Sequence, residues 1–316
     1  QTKRVTNDTD DIRLDERVIA RLGPAAIPWR WYQEGFTSPD HEGFIAHHAA
    51  PQYFGYVVKN DVMHSQMRDL STFPADIQAG RLGERGLYYL KGGSQNTLGL
   101  HPANKDPFVQ SHFNGDDDHP GYADAQISEA HVASLVNLIA NSKYWSDSVI
   151  VITWDDAGGF WDHVVPKSFE KCPDAHPCGD GERVPAIVIS PFAKTGAVVK
   201  EYYDQDSVIK LVETVFGLPT LATLPDEAPY MPNGPRDANP AISNLAAAFD
   251  GGRLSGATDP VPRSLALFAD ATVRSIPSPL NCASIGVQPV PPPPGVSDSP
   301  PPGFNPRPFA TQAPPH

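Results

Sequence analysis

The chain has 316 residues, 40% of them hydrophobic, with a formal net charge of −13. A core of roughly 200–250 residues fits that length, and no run approaches the roughly 20 apolar residues that cross a bilayer. The acidic balance argues against a nucleic-acid groove, which needs clustered Lys and Arg, but not against an anionic substrate, because a bound cation reverses the field over an acidic cluster.

Gln1 to Glu16 is charged and polar and does not read as a secretory leader. The sequence does not open on Met, as expected of a mature form or a fragment. Asp11 to Leu22 suits a short helix ended by Gly23-Pro24. Ile27 to Gln33 (IPWRWYQ) reads as a strand and Leu87 to Lys91 as a shorter one. Between them, His41 to Tyr56 is a polar and aromatic loop containing His47-His48. From Asp124 to Ser142 the spacing predicts a helix with Ile127, His131, Leu135, Leu138 and Ile139 near one face. Val149 to Trp154 is β-branched with no polar alternation, which predicts a strand buried on both faces of a parallel sheet; Val184 to Ser190 reads the same way. Asp206 is placed to cap a helix through Phe216, with Val208, Ile209, Val212, Val215 and Phe216 inward, closed by Gly217 and followed by Pro219. This order of strands and helices predicts an α/β layer sandwich. Pro229 to Asn244 reads as a long loop, and Pro289 onward as an extended, disordered tail. Cys172 and Cys178 flank the polar loop CPDAHPC. A local disulfide and ordinary thiols both fit them; a zinc site lacks a second ligand pair, and Cys282 stands apart.

Two loops carry chemistry. TWDDAGGFWDH, Thr153 to His163, places Asp155 and Asp156 just beyond a strand, where ligands gather in open α/β sheets. Adjacent carboxylates repel unless something positive lies between them, and a divalent metal ion held by carboxylate and imidazole is the common remedy. GDDDHPGY, Gly115 to Tyr122, sets three carboxylates and His119 before the long helix. Alone it reads as a helix lead-in with capping Asp residues; beside the first loop it reads as part of a site. Trp29, Trp31 and Tyr32 either wall a pocket or pack in a core, and Lys91 either meets a phosphate or is solvated.

Several segments resemble, in order and spacing, one bacterial phosphoesterase family, that of phosphatidylcholine-type phospholipases C and acid phosphatases. They are WRWYQEGF from Trp29, HHAAPQYF from His47, DLSTFPADIQAGRL from Asp69 and DDDHPGYADAQISEAHVASLVNLI from Asp116. SKYWSDSVIVITWDDAGGFWDHVVP from Ser142 and GDGERVPAIVISPFAKTG from Gly179 complete the set, which runs from Arg17 to Leu221. The resemblance implies part of an alkaline-phosphatase-like α/β/α sandwich over 1–225, a loop-rich extension over 226–286 and a Pro-rich disordered tail over 287–316. It implies Asp155 and Asp156 as ligands of a divalent metal ion, and His119 and His163 as catalytic imidazoles facing the phosphoryl group or the leaving oxygen. Asp162 would orient His163, and one of His47 and His48 would line the substrate pocket. The implied substrate is a phosphate ester or a phospholipid, with peripheral membrane contact and a secreted or periplasmic location. The family's Glu-Asn pair and Ser/Thr nucleophile belong upstream, and Gln1 to Pro28 holds no such segment. The chain is therefore expected to carry about half of the site. Two functions follow as expectations: a hydrolase of phosphoric esters, or a non-catalytic relative that binds a cation or a partner. A sulfatase is set aside, because no Cys stands in the context that enzyme modifies.

Overall fold

The structure is a computed structural model, and it describes residues 27–37, 43–102, 104–171, 177–178, 180–221 and 236–263. The expected Asp11–Leu22 helix, Cys172 with the choice between a disulfide and free thiols, and the Pro-rich tail lie outside these residues. In chain order the regular elements are β1 (Trp29–Gln33), α1 (Gly55–Val58), α2 (Asp61–His64), β2 (Met67–Asp69), α3 (Phe73–Gln78), β3 (Leu87–Lys91), α4 (Pro107–His112) and α5 (Ala125–Ala140). They continue with β4 (Ile150–Thr153), β5 (Glu170–Lys171), β6 (Pro177–Cys178), β7 (Ala186–Ile189), α6 (Asp206–Phe216) and α7 (Gly251–Leu254).

The protein is α/β, with a parallel three-stranded sheet in the order β2-β1-β3. Parallel neighbours need crossover connections, and α1, α2 and α3 lie on the paths from β1 to β2 and from β2 to β3. The aromatic strands WRWYQ and LYYLK suit a pleated surface. Alternation along β1 sends its side chains to opposite faces. On one face Trp31 stacks on Tyr89 at 4.7 Å and donates through Nε1 to Gln33. On the other, the Tyr32 hydroxyl donates to Asp76 Oδ2 at 2.7 Å, and Arg30 Nη1 reaches the same oxygen at 3.1 Å. Tyr32, Leu70, Phe73 and Ile77 form a buried cluster there, covered by Leu135, Leu138 and Ile139 of α5. Trp29 packs instead with Ala49, Val57, Met63 and Met67. The first strand is thus core, and Tyr32 belongs to its packing.

Asp124 caps α5 by accepting from the Gln126 N–H. The helix buries Ile127 and Ala130 against Leu100.

Three expectations are corrected. β4 and β7 pair with each other antiparallel, Ile150 opposite Ile189 and Thr153 opposite Ala186, in a two-stranded ribbon. Neither strand is buried on both faces, and Ile187 is 48% exposed. The β-branched run reflects how well such residues fit a pleat; it does not measure burial. In α6 the buried side chains are Ser207 and Leu211, while Val215 is exposed. The ribbon is narrow and covers one stripe of the helix: Leu211 and Val208 pack with Val151, Val188, Leu245 and Phe249. The N-cap position is Gln205, without a side-chain cap bond. Gly217 closes α6 at φ 65°, as its place after Phe216 predicts.

Candidate functional site

The carboxyl ends of β1 and β3 lie side by side, since Gln33 pairs with Lys91 in register. Four chain segments reach this edge, one of them Ala46–His48, which brings in His48. Lys91 ends β3, the Gly115–Tyr122 loop crosses above it, and the turn after β4 brings in Asp155. The loop is pinned by backbone bonds from Asp116 N–H to Gln95 and from Asp117 N–H to Gly93. Trp154 Nε1 donates to Asp118 Oδ2 at 2.9 Å, fastening the end of β4 to the same loop. Close approach continues at Gly158, where an added Cβ would lie 2.9 Å from Pro120 Cγ. With φ at +64° as well, that position suits glycine.

At the centre is the Lys91 ammonium. It donates to both oxygens of Asp117, at 2.9 and 3.0 Å, and lies 3.6 Å from Asp155 Oδ1. The Tyr122 hydroxyl donates to Asp117 Oδ2 at 3.0 Å. His119 lies flat on the Tyr122 ring, centroids 4.4 Å apart and planes 8° from parallel. Its Nδ1 accepts from the Gly121 N–H at 3.0 Å, which leaves Nε2 as the donor nitrogen of the neutral ring. His48 completes the cluster, with Nδ1 3.6 Å from Asp117 Oδ2 and its ring centroid 6.3 Å from that of His119.

The charges interlock. Burial works to raise the Asp155 carboxyl, but nearby Lys91, its own backbone N–H and His48 hold its pKa below the usual value. Burial lowers the His48 pKa, Lys91 lowers it further, and Asp117 and Asp155 only partly oppose them. Tyr122 is pushed well above the usual phenol range by burial and by Asp117. It therefore stays a neutral donor at any physiological pH.

Of the four residues singled out in the sequence, the structure brings together Asp155 and His119. Asp156 is engaged separately: its Oδ1 accepts from the Gly158 N–H at 2.5 Å and shapes the turn. His163 is 74% exposed in its side chain. Among the described residues its ring and polar partners are Trp161 and Asp162. Asp162 does orient a neighbour, but its main partner is Arg183, which donates to both carboxylate oxygens at 2.7 and 2.9 Å. That pair holds the Asp162 pKa far below the usual range. Lys91 and one of the His47-His48 pair, both left open by the sequence, prove to be central. Their signal was position: Lys91 is the last residue of a parallel strand, where sites form. Asp117 gave no signal of its own inside a run of three Asp residues.

The expected divalent cation can be set against these donors. Among the described residues no group of three or more His, Cys, Asp or Glu side chains could hold a metal ion. The Lys91 ammonium supplies the positive charge beside Asp155, and Asp156 is turned to its own backbone. Among the described residues Asp155 and Asp156 do not by themselves complete a cation site.

A family model described as the Phosphoesterase family matches residues 6–219. Among curated relatives, Phospholipase C B of Mycobacterium tuberculosis is 29% identical over 203 residues, covering 51% of this chain and 39% of that protein. Hemolytic phospholipase C of Pseudomonas aeruginosa is 26% identical over 223 residues, covering 63% of this chain and 29% of that protein. Non-specific phospholipase C6 of Arabidopsis thaliana is 31% identical over 120 residues, 32% of this chain and 23% of its own length. The chain thus spans well under half the length of these relatives.

Proposed function

The chain belongs to the phosphoesterase family, and from that premise we propose that it hydrolyses phosphoric esters, with a phospholipid of the phospholipase C type as the preferred substrate class. One observation carries the reading: an ammonium and two imidazoles, Lys91, His48 and His119, meet at one parallel-sheet edge beside Asp117 and Asp155. Preorganised donors aimed at developing negative charge are the main source of catalysis in phosphoryl transfer. In this role Lys91 and His48 face the phosphoryl oxygens. His119, with Nδ1 satisfied by Gly121, presents Nε2–H to the leaving oxygen as a hydrogen-bond donor that stabilises its developing charge. Tyr122 keeps the imidazole flat and in place by stacking beneath it. Asp117 and Asp155 hold Lys91 by opposed attraction, so the ammonium is fixed before substrate arrives.

His163 enters the proposal as a third imidazole, carried on the Asp155 loop and reaching the leaving group from the solvent side. No helix of the described residues is long and apolar enough to cross a membrane, so lipid would be met at a surface. The divalent cation is a separate proposal. Asp155 and Asp156 would need further donors from beyond the described residues, and metal analysis of the purified protein beside Asp155→Asn tests it.

The main test is hydrolysis of p-nitrophenyl phosphorylcholine, together with vanadate binding. His119→Ala should lower turnover by about 10²-fold or more, the usual range for losing one positioned hydrogen-bond donor to developing charge. His163→Ala, starting from an exposed ring, should cost less than about tenfold. Equal, small losses in both variants would remove His119 from the site.

A further inference from the structure

Beneath the sheet edge lies a second acidic group that phosphoryl binding leaves unused. Glu34 follows β1 directly and is 2% exposed; Asp116, in the Gly115–Tyr122 loop, is 1% exposed. The Gln95 N–H donates to Glu34 Oε2 at 3.1 Å, and the Gly93 N–H also donates to this carboxyl group. Asp116 Oδ2 accepts from the Thr97 N–H at 2.8 Å and from the Thr97 hydroxyl. His131 Nδ1 lies 3.1 Å from Thr97 Oγ1 and 3.4 Å from Asp116 Oδ2. Two oxygens remain, Glu34 Oε1 and Asp116 Oδ1, both buried and without a donor among the described residues. Both carboxyl groups close on the same stretch of backbone: Glu34 takes the Gln95 N–H, while the Asp116 N–H donates to Gln95 O and the Asp117 N–H to Gly93 O. Two buried carboxylates in contact cannot both be ionised, and one proton between them satisfies both orphaned oxygens. The backbone is built for this approach. A Cβ at Gly93 would stand 2.2 Å from Gly43 O and 2.8 Å from Glu34 Oε2, and one at Gly92 would stand 3.1 Å from Asp116 O.

We propose that Glu34 and Asp116 share one proton, and that this pair is the clamp positioning the Gly115–Tyr122 loop against the carboxyl ends of β1 and β3. Glu34 and Asp116 are positioning residues: they touch no substrate but fix Asp117, which holds Lys91, and His119, which meets the leaving oxygen. That purpose rests on the phosphoryl-site reading; the clamp itself and its test do not require turnover.

The titration follows from the surroundings. Burial, then Asp116, raises the Glu34 pKa from 4.5 to about 8. From α5, the pair faces His131, whose pKa burial lowers. From the loop it faces Asp117 and Tyr122, and from β3 Lys91, which Asp117 and Asp155 already engage. Among the described residues no spare cation faces the pair to compensate a second negative charge. A folded-state pKa above the unfolded one means the contribution is complete below pH 4.5 and lost as pH rises through about 8.

Amide hydrogen exchange reads the clamp directly. The N–H groups of Gly115, Asp116 and Asp117 are bonded to Tyr122, Gln95 and Gly93. In the full chain, their protection, corrected for intrinsic base catalysis, should fall by up to about tenfold per pH unit between pH 4.5 and about 8 and level off above that. Amides in the middle of α5 should keep theirs. Glu34→Gln should abolish the fall while retaining protection at neutral pH, because a carboxamide donates to Asp116 without a titrating proton. If Glu34→Gln does not fold, Asp116→Asn makes the same test from the other side. Flat protection in the wild type overturns the proposal, as does a carboxamide variant that follows the wild-type pH dependence. Loss of loop protection in the variant at neutral pH, or simultaneous loss across α5, overturns it too. Vanadate binding in the same samples separates this outcome from failure of the phosphoesterase reading, because loop protection is scored whether or not vanadate binds.

Discussion

Replacing Asp76 by Asn should destabilise the sheet that presents Lys91, without touching the site. Asp76 is 1% exposed and receives Tyr32 OH at 2.7 Å, Arg81 at 2.9 Å, Arg30 at 3.1 Å and Arg68 at 3.2 Å. Burial alone would raise its pKa, but these four donors outweigh it and hold the carboxyl below its usual 3.8. Removing one partner of a buried ion pair costs about 3–5 kcal/mol. The Arg81 side chain is 58% exposed, so its pair belongs to the screened class worth about 0–1 kcal/mol. Most of the cost therefore falls on Arg30, 21% exposed, and Tyr32. A loss of about 3 kcal/mol is expected, which for a domain of this size lowers Tm by about 6–12 °C. Melting followed by circular dichroism at neutral pH measures it. The depressed pKa adds a sign: the carboxylate's contribution is present above pH 3.8 and lost as pH falls through the lower folded value, so the Asn variant should lack that acid-limb step. A change in Tm below about 2 °C, or an unchanged acid limb, would refute the argument.

Two further predictions concern charge and backbone. Lys91→Met should raise the titration midpoints of both His48 and Asp155, since the ammonium lowers each; imidazole and carboxyl NMR titrations would show it, and unmoved midpoints would count against the central role of Lys91. Gly217→Ala should cost about 1 kcal/mol, because only glycine takes φ 65° freely and the surrounding space is open, so conformation alone is penalised; urea unfolding would reveal a cost near zero if the helix end simply refolds.

The fold was legible where chain-local signals agreed. Strand β3 lies at Leu87–Lys91 as read, α5 follows its Asp124 cap, and Gly217 ends α6. Pairing was not legible, because partner choice depends on residues far away in sequence: nothing in Val149–Trp154 distinguishes a parallel neighbour from the antiparallel β7. At the site, TWDDAGGFWDH marked the right turn but not which members face inward. Asp155 meets Lys91, while Asp156 and Asp162 are taken by Gly158 and Arg183. A positive neighbour does stand beside Asp155, the Lys91 side chain 64 positions earlier in number, whereas Asp156 is engaged by the Gly158 N–H. Glu34 escaped notice because burial, which sets its chemistry, has no signature in WRWYQEG.

The indole of Trp154 sits at the junction of the two loops, its N–H committed to Asp118. That single bond gives the molecule a built-in optical gauge. Any event that lifts the acidic loop away from the strand end must free an indole, changing the colour and intensity of its emission without any attached dye.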